Sequence, residues 1–199
     1  MRVFAIALGL ALAPIQTSAQ IGNPAGMAPE TKMEKPGVPA PNQTNYQDRL
    51  FAQLATAGGV AEVEFGKFAA DKTDHDGVKQ FANRMVEDHG KANSRLRSIA
   101  QKSKMPLPEG LDSDHKKMRS DLEKMDGARF DLAYLAGQVV DHQKTAQLLA
   151  WEIDQGEDAE LQRFAADTLP VVLAHLEMAR LLQAKLVSEK APKPQAVKN

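Results

Sequence analysis

The chain reads as an all-α protein. It is predicted to form an up-down-up-down four-helix bundle with a short extra helix before the third long helix. Three observations predict this. Apolar residues recur at spacings of three and four over four long stretches. No segment alternates as a half-buried strand would, and β-branched residues are sparse. The breaks between stretches are short and marked by Pro, Gly and Asp.

The first helix is expected from Tyr46, with Phe51, Ala55, Gly58, Glu62, Phe65 and Ala69 on one face. Asp74 is placed to cap the second. Its stripe is Val78, Ala82, Met85, His89, Ala92, Leu96 and Ile99. Met105-Pro106-Leu107-Pro108 and Gly110 make a loop. Asp112 starts a short charged helix that ends near Asp126-Gly127. The third long helix carries Asp131, Leu135, Gln138, His142, Thr145 and Leu149. A turn near Gly156 precedes the fourth, striped by Leu161, Ala165, Thr168, Val172, His175, Ala179, Leu182 and Leu186. Pro170 lies inside this helix, leaves the carbonyl of Ala166 without its usual donor, and is expected to kink it. Tyr134 and Trp151 are expected at helix contacts.

The ends differ in kind. Residues 1–19 have the form of an export signal: Arg2, an apolar run from Val3 to Ile15, then Thr17-Ser18-Ala19. Cleavage is expected after Ala19, giving a soluble periplasmic or secreted product, with envelope association left open. The alternative, an uncleaved anchor, conflicts with a run too short to span a bilayer. Residues 20–44, rich in Pro, Gly and Asn, and the tail 190–199 are expected to be disordered. Residues 45–189 then form one domain, a length that suits a single core.

Composition excludes several functions. Lys and Arg total 25 against 26 Asp and Glu, so nothing steers the protein to nucleic acid or anionic lipid. Cysteine is absent, which removes disulfides, thiolate catalysis and cysteine-bound metal clusters. No later stretch is apolar enough to cross a membrane. There is no nucleophile–base spacing, glycine-rich phosphate loop or nucleotide fingerprint.

What remains is a set of polar residues on apolar stripes. Glu62, His89, His142 and His175 occupy four different predicted helices. At a rise of ~1.5 Å per residue, the first three fall at the same depth within about one turn. His175 is offset by about 7 Å, which the Pro170 kink could correct. Imidazole and carboxylate facing each other in a dry core are suited to a divalent transition metal: zinc, iron, manganese, cobalt or copper. Met85 and Met178 lie one turn from His89 and His175, and thioether ligands would favour copper. As core filler they say nothing of the metal. Asp88 and Asp141 point away from their neighbours' metal. Each is either a solvated acid or a holder of a histidine on the next helix. His75 and His115, near helix starts, are expected to be exposed. Glu-x-x-His is absent before all three core histidines, which argues against a carboxylate di-iron site. The alternative to a metal is a buried His/Glu network that fixes helix register.

Val86-Glu87-Asp88-His89-Gly90-Lys91 echoes Val139-Val140-Asp141-His142-Gln143-Lys144, from hairpin duplication or shared helical bias. Together with Val78-Lys79-Gln80-Phe81-Ala82, Gly127-Ala128-Arg129-Phe130-Asp131, Tyr134, Leu169-Pro170 and His175-Leu176, these segments carry a resemblance. The chain resembles the exported bacterial proteins of domain-of-unknown-function family 4142, often labelled outer-membrane or ferritin-like. The likeness spans about Tyr46 to Leu186. It implies a ferritin-like helical bundle in the periplasm or envelope and supplies no activity. An outer-membrane barrel is not expected without alternating strands.

The expectation is therefore a periplasmic bundle holding one metal through Glu62, His89, His142 and His175, for sequestration or redox protection. Four protein ligands would close the shell and favour storage over catalysis. Whether it is an enzyme, which protein partner it has and whether it self-associates are left open.

Overall fold

The computed structural model describes residues 45–190; the expected signal, leader and all of the expected tail but Lys190, which ends the last helix, fall outside them. The described residues form five helices and no strand: α1 (Tyr46–Lys72), α2 (Asp76–Lys102), α3 (Ser113–Glu123), α4 (Gly127–Gln155) and α5 (Ala159–Lys190). None is long and apolar enough to cross a membrane.

The helix starts follow from short polar side chains that accept otherwise orphaned backbone N–H groups. Asn45 accepts from Asp48 N at 2.7 Å, and Asp112 from His115 N at 2.8 Å. Asp158 accepts from Glu160 N and Leu161 N. The cap of α2 is His75 rather than Asp74: its Nδ1 accepts from Val78 N at 3.2 Å. Imidazole can do this because its neutral ring carries one bare nitrogen. α5 continues through Pro170.

Neighbouring long helices run antiparallel. The start of α1 meets the end of α4 where Glu157 N donates to Asp48. The end of α1 meets the start of α4 through Lys72–Asp126 and Thr73–Asp131. Lys102–Glu160 and Arg95–Asp167 tie the end of α2 to the start of α5. The short helix α3 lies against α1 and α4. His115 meets the Phe65 ring, Arg119 sits over Phe68, and Met118 faces Gly137.

The predicted stripes face inward and build two apolar clusters rather than one. One gathers Phe51, Leu54, Leu96, Leu148, Leu161 and Phe164 towards the α1 start. The other gathers Phe65, Val78, Phe81, Met85, Phe130 and Tyr134 towards the α1 end. Between them lies a polar layer from all four long helices: Glu62, His89, Gln138, His142 and His175, every one buried.

Helix α1 approaches α2 closely at glycine. A Cβ on Gly66 would lie 2.8 Å from the carbonyl oxygen of Ala82 and 2.8 Å from Val86 Cγ2. Backbone cannot yield there as a side chain would. Gly66→Val is expected to cost about 1–3 kcal/mol by overpacking, despite the helix propensity it gains. Gly90 has nothing within 4 Å of its would-be Cβ, so Gly90→Ala should stabilise by roughly 0.5–1 kcal/mol. Thermal unfolding of the two variants should shift in opposite directions. Equal shifts would remove the close-contact argument.

Candidate metal centre

His89, His142 and His175 converge. Their ring centroids are 5.3, 5.4 and 5.4 Å apart, nearly an equilateral triangle. One ligand nitrogen from each can be chosen so that all three lie within 4.8 Å of one another, and all three residues are buried. His89 Nε2 and His142 Nε2 are 3.3 Å apart. Two nitrogens bound at ~2.05 Å to one tetrahedral ion would be ~3.3 Å apart.

The depth of His175 is set by the turn before it. Helix α5 begins at Ala159, so residues 156–158 contribute no helical rise. His175 then sits about one turn further into α5 than His142 does from the end of α4, an offset of ~4.5 Å that a histidine side chain can span.

Partners outside the triangle fix two of the three rings. His142 Nδ1 lies 2.9 Å from the Gln138 carbonyl, which only accepts, so Nδ1 carries the proton and Nε2 is bare. His175 Nε2 lies 3.0 Å from Asp88 Oδ2, so that nitrogen donates and Nδ1 is left bare. His175 Nδ1 is buried and has no hydrogen-bond partner among the described residues. Asp88 is thus the holder of a histidine on another helix, one of the two roles its position in the sequence allowed. Burial by itself would raise its pKa, but its bonds to Arg84 and His175 outweigh this and lower it.

Electrostatics keeps the imidazoles uncharged. Burial, then repulsion from His142 and His175, pushes His89 down to about 3. Burial takes His142 to about 4 against its bond to the Gln138 carbonyl. His175 is lowered by burial and raised in part by Asp88. Neutral imidazole is the form that binds metal, so protons are weak competitors here.

The fourth predicted residue is placed differently. Glu62 Oε1 lies 3.5 Å from His142 Nδ1, the ring nitrogen directed away from His89. The structure therefore does not bring its carboxylate into the triangle. The physical reason is that α1 also packs along α4, and from there Glu62 reaches the Nδ1 edge of the His142 ring and not its Nε2 edge. Burial, then the charge of Asp141, pushes Glu62 up to about 8. Of the two methionines, Met85 is core and Met178 is 39% exposed beside α2, so Met178 faces the surface.

His115 is buried, not exposed as expected. Its Nδ1 lies 2.7 Å from Asp112 Oδ2, and its Nε2 is 4.0 Å from Asp141 Oδ2. Asp141 is also buried, and burial raises its pKa. The sequence signal for this pair is the spacing Asp112-x-x-His115. It puts the cap's carboxylate beside the ring one turn on.

Fold and site together define an all-helical bundle with a buried histidine triad. The chain belongs to the family described as Domain of unknown function (DUF4142), whose profile matches residues 33–182. No curated protein matches it. Among solved structures it is similar to a DUF305 fragment from Deinococcus radiodurans. The TM-score is 0.63 at 12% identity, over 73% of this chain and 99% of that one. It is also similar to a candidate secreted DUF305 protein from Streptomyces coelicolor, with TM-score 0.63 and 14% identity over 71% and 92%. A third similar structure is CopM in its Cu(II)-bound form, with TM-score 0.60 and 17% identity over 69% and 96%. At these identities the likeness is one of fold.

Proposed function

We propose that this protein binds one divalent transition metal through His89 Nε2, His142 Nε2 and His175 Nδ1. The observation that carries the reading is the bare, buried and unpartnered nitrogen of His175, with its other nitrogen held by Asp88. An imidazole lone pair buried without a partner costs stability unless something binds it. Glu62 is assigned to the outer side of His142, where its carboxyl group, 3.5 Å from Nδ1, supports the ligand ring. Three protein nitrogens leave a fourth position for water or an incoming ligand. Zinc, iron, manganese and copper all accept such a set, and the Cu(II)-bound form of CopM, a protein of similar fold, supports copper among them.

The role is metal sequestration or redox protection by a ferritin-like four-helix protein exported to the periplasm or envelope. Export rests on residues 1–19, cleaved after Ala19, with 20–44 as a spacer, 45–189 as the domain and 190–199 as a tail. Elemental analysis of the untagged, exported protein tests the reading, and about one metal per chain is expected. A metal-free protein whose melting is unmoved by added Zn(II), Cu(II), Fe(II) or Mn(II) ends it. A second reading has its own observation. The 3.3 Å approach of His89 and His142 also fits an N–H···N bond, as in a metal-free network that fixes helix register. Melting unchanged by chelation would favour that one.

A further inference from the structure

The triad is closed off on most sides. The two apolar clusters plug the bundle above and below it. On the α1/α4 side, Glu62 is buried, and α3 packs outside it with His115 against Phe65. Among the described residues, the α2/α5 seam carries no such cover. Several grooves open along it among the described residues: one of about 370 Å³ towards Lys102 and Glu160, and two of about 490 and 260 Å³. Arg84 lines the latter two. Asp88 forms part of the smallest one, together with Lys91, Arg95, Asp167 and Thr168.

One side chain stands between this groove and the triad. The Asp88 side chain is 14% exposed, and its Oδ2 bonds inward to His175 Nε2 and outward to Arg84 Nε. The Arg84 side chain is 56% exposed, so it can swing into water without disturbing the core. A hydrated cation arriving along the seam meets a carboxylate before it meets an imidazole. The guanidinium on Oδ2 offsets the negative charge that would draw the cation in, and that charge is restored when it leaves. Pro170, between the groove-lining Thr168 and Val171 of α5, has no backbone N–H to give, which eases local opening of that wall.

Resting on the metal-binding reading, we propose that the α2/α5 seam is the port of the triad, with Asp88 the carboxylate that passes the metal inward and Arg84 the latch that holds the port shut. Arg84 is a positioning residue: it acts on Asp88 and touches no metal. The latch slows loading and release together, so it sets exchange rates and leaves affinity alone.

The test uses the full chain after export, loaded with Zn(II). Release to an excess of a colorimetric chelator and uptake from buffered Zn(II) are both followed in time. Arg84→Gln is expected to speed both by roughly tenfold, the worth of one charge-assisted bond, with the equilibrium dissociation constant changed by less than about twofold. Removing any cation from the groove could favour Zn(II) by charge alone. Lys91→Gln, in the same groove but paired to Glu87, must therefore leave both rates near wild type. Arg84→Lys, which keeps the charge, should restore slow exchange. Unchanged rates in Arg84→Gln, equal acceleration in Lys91→Gln, or a fall in affinity without a change in both rates overturns the port. Wild-type protein that takes none of Zn(II), Cu(II), Fe(II) or Mn(II) overturns the metal reading itself, and the port with it; if it takes one of these but not Zn(II), the same rates are followed with that ion.

Discussion

His142→Ala abolishes metal binding and, with it, the stabilisation that metal confers. His142 is the member whose lone pair is most firmly aimed: its Nδ1 proton is held by the Gln138 carbonyl, and its ring is 1% exposed. No other described side chain combines a buried imidazole with that geometry towards His89. In the wild-type protein, free metal at about 100 times its dissociation constant should add ~2.7 kcal/mol. For a domain of this size that raises the melting temperature by about 5–10 °C. In His142→Ala the increment should vanish. Calorimetry with and without metal reads both, and an undiminished increment in the variant would falsify the triad.

Glu62→Gln separates ligand from support. A carboxylate behind a ligand ring is worth about 10–100-fold in affinity, and a lost ligand more. Because burial and Asp141 already push Glu62 up to about 8, the amide is a close mimic of its neutral form. Affinity in this variant should therefore fall by no more than about 100-fold. A loss as complete as that of His142→Ala would return Glu62 to the coordination shell.

The helices and their buried faces are legible in the sequence because helix period alone decides them. Phe51, Val78, Leu135 and Leu161 fall inside for the reason Glu62, His89, His142 and His175 do. Period places a residue on a face about 100° wide, and within that width it says nothing of direction. Glu62 and His89 share a layer, yet one reaches the outer nitrogen of His142 and the other its inner nitrogen. Which ring nitrogen is free depends on the Gln138 carbonyl and on Asp88, neither of which has a spacing signature. His115 misleads for a related reason. A helix start is normally wet, but this one is laid on the α1/α4 seam by Met118 and Leu122. The offset of His175 shrinks because a turn of three residues adds no rise, and sequence fixes such boundaries only to a few residues.

Glu152→Gln stabilises the protein, and more so as pH rises. Glu152 is fully buried near the end of α4, beside the turn that Asp48 holds through Glu157 N. Burial first, then the charges of Asp48 and Asp158, push its carboxyl up to about 9. In the unfolded chain the same group titrates near its ordinary value of 4.5. Between those two points the folded state retains a proton that the unfolded state has lost. Stability therefore falls with rising pH across that window, by at most ~1.4 kcal/mol per pH unit. Glutamine keeps the shape of the protonated acid and has no proton to lose. The variant should match wild type near pH 4 and melt higher at pH 8. A gain of ~2 kcal/mol, well under the ceiling because the turn can relax, corresponds to about 4–8 °C. Melting curves at pH 4 to 8 decide it: parallel profiles for the two proteins would mean that Glu152 reaches water in the folded state.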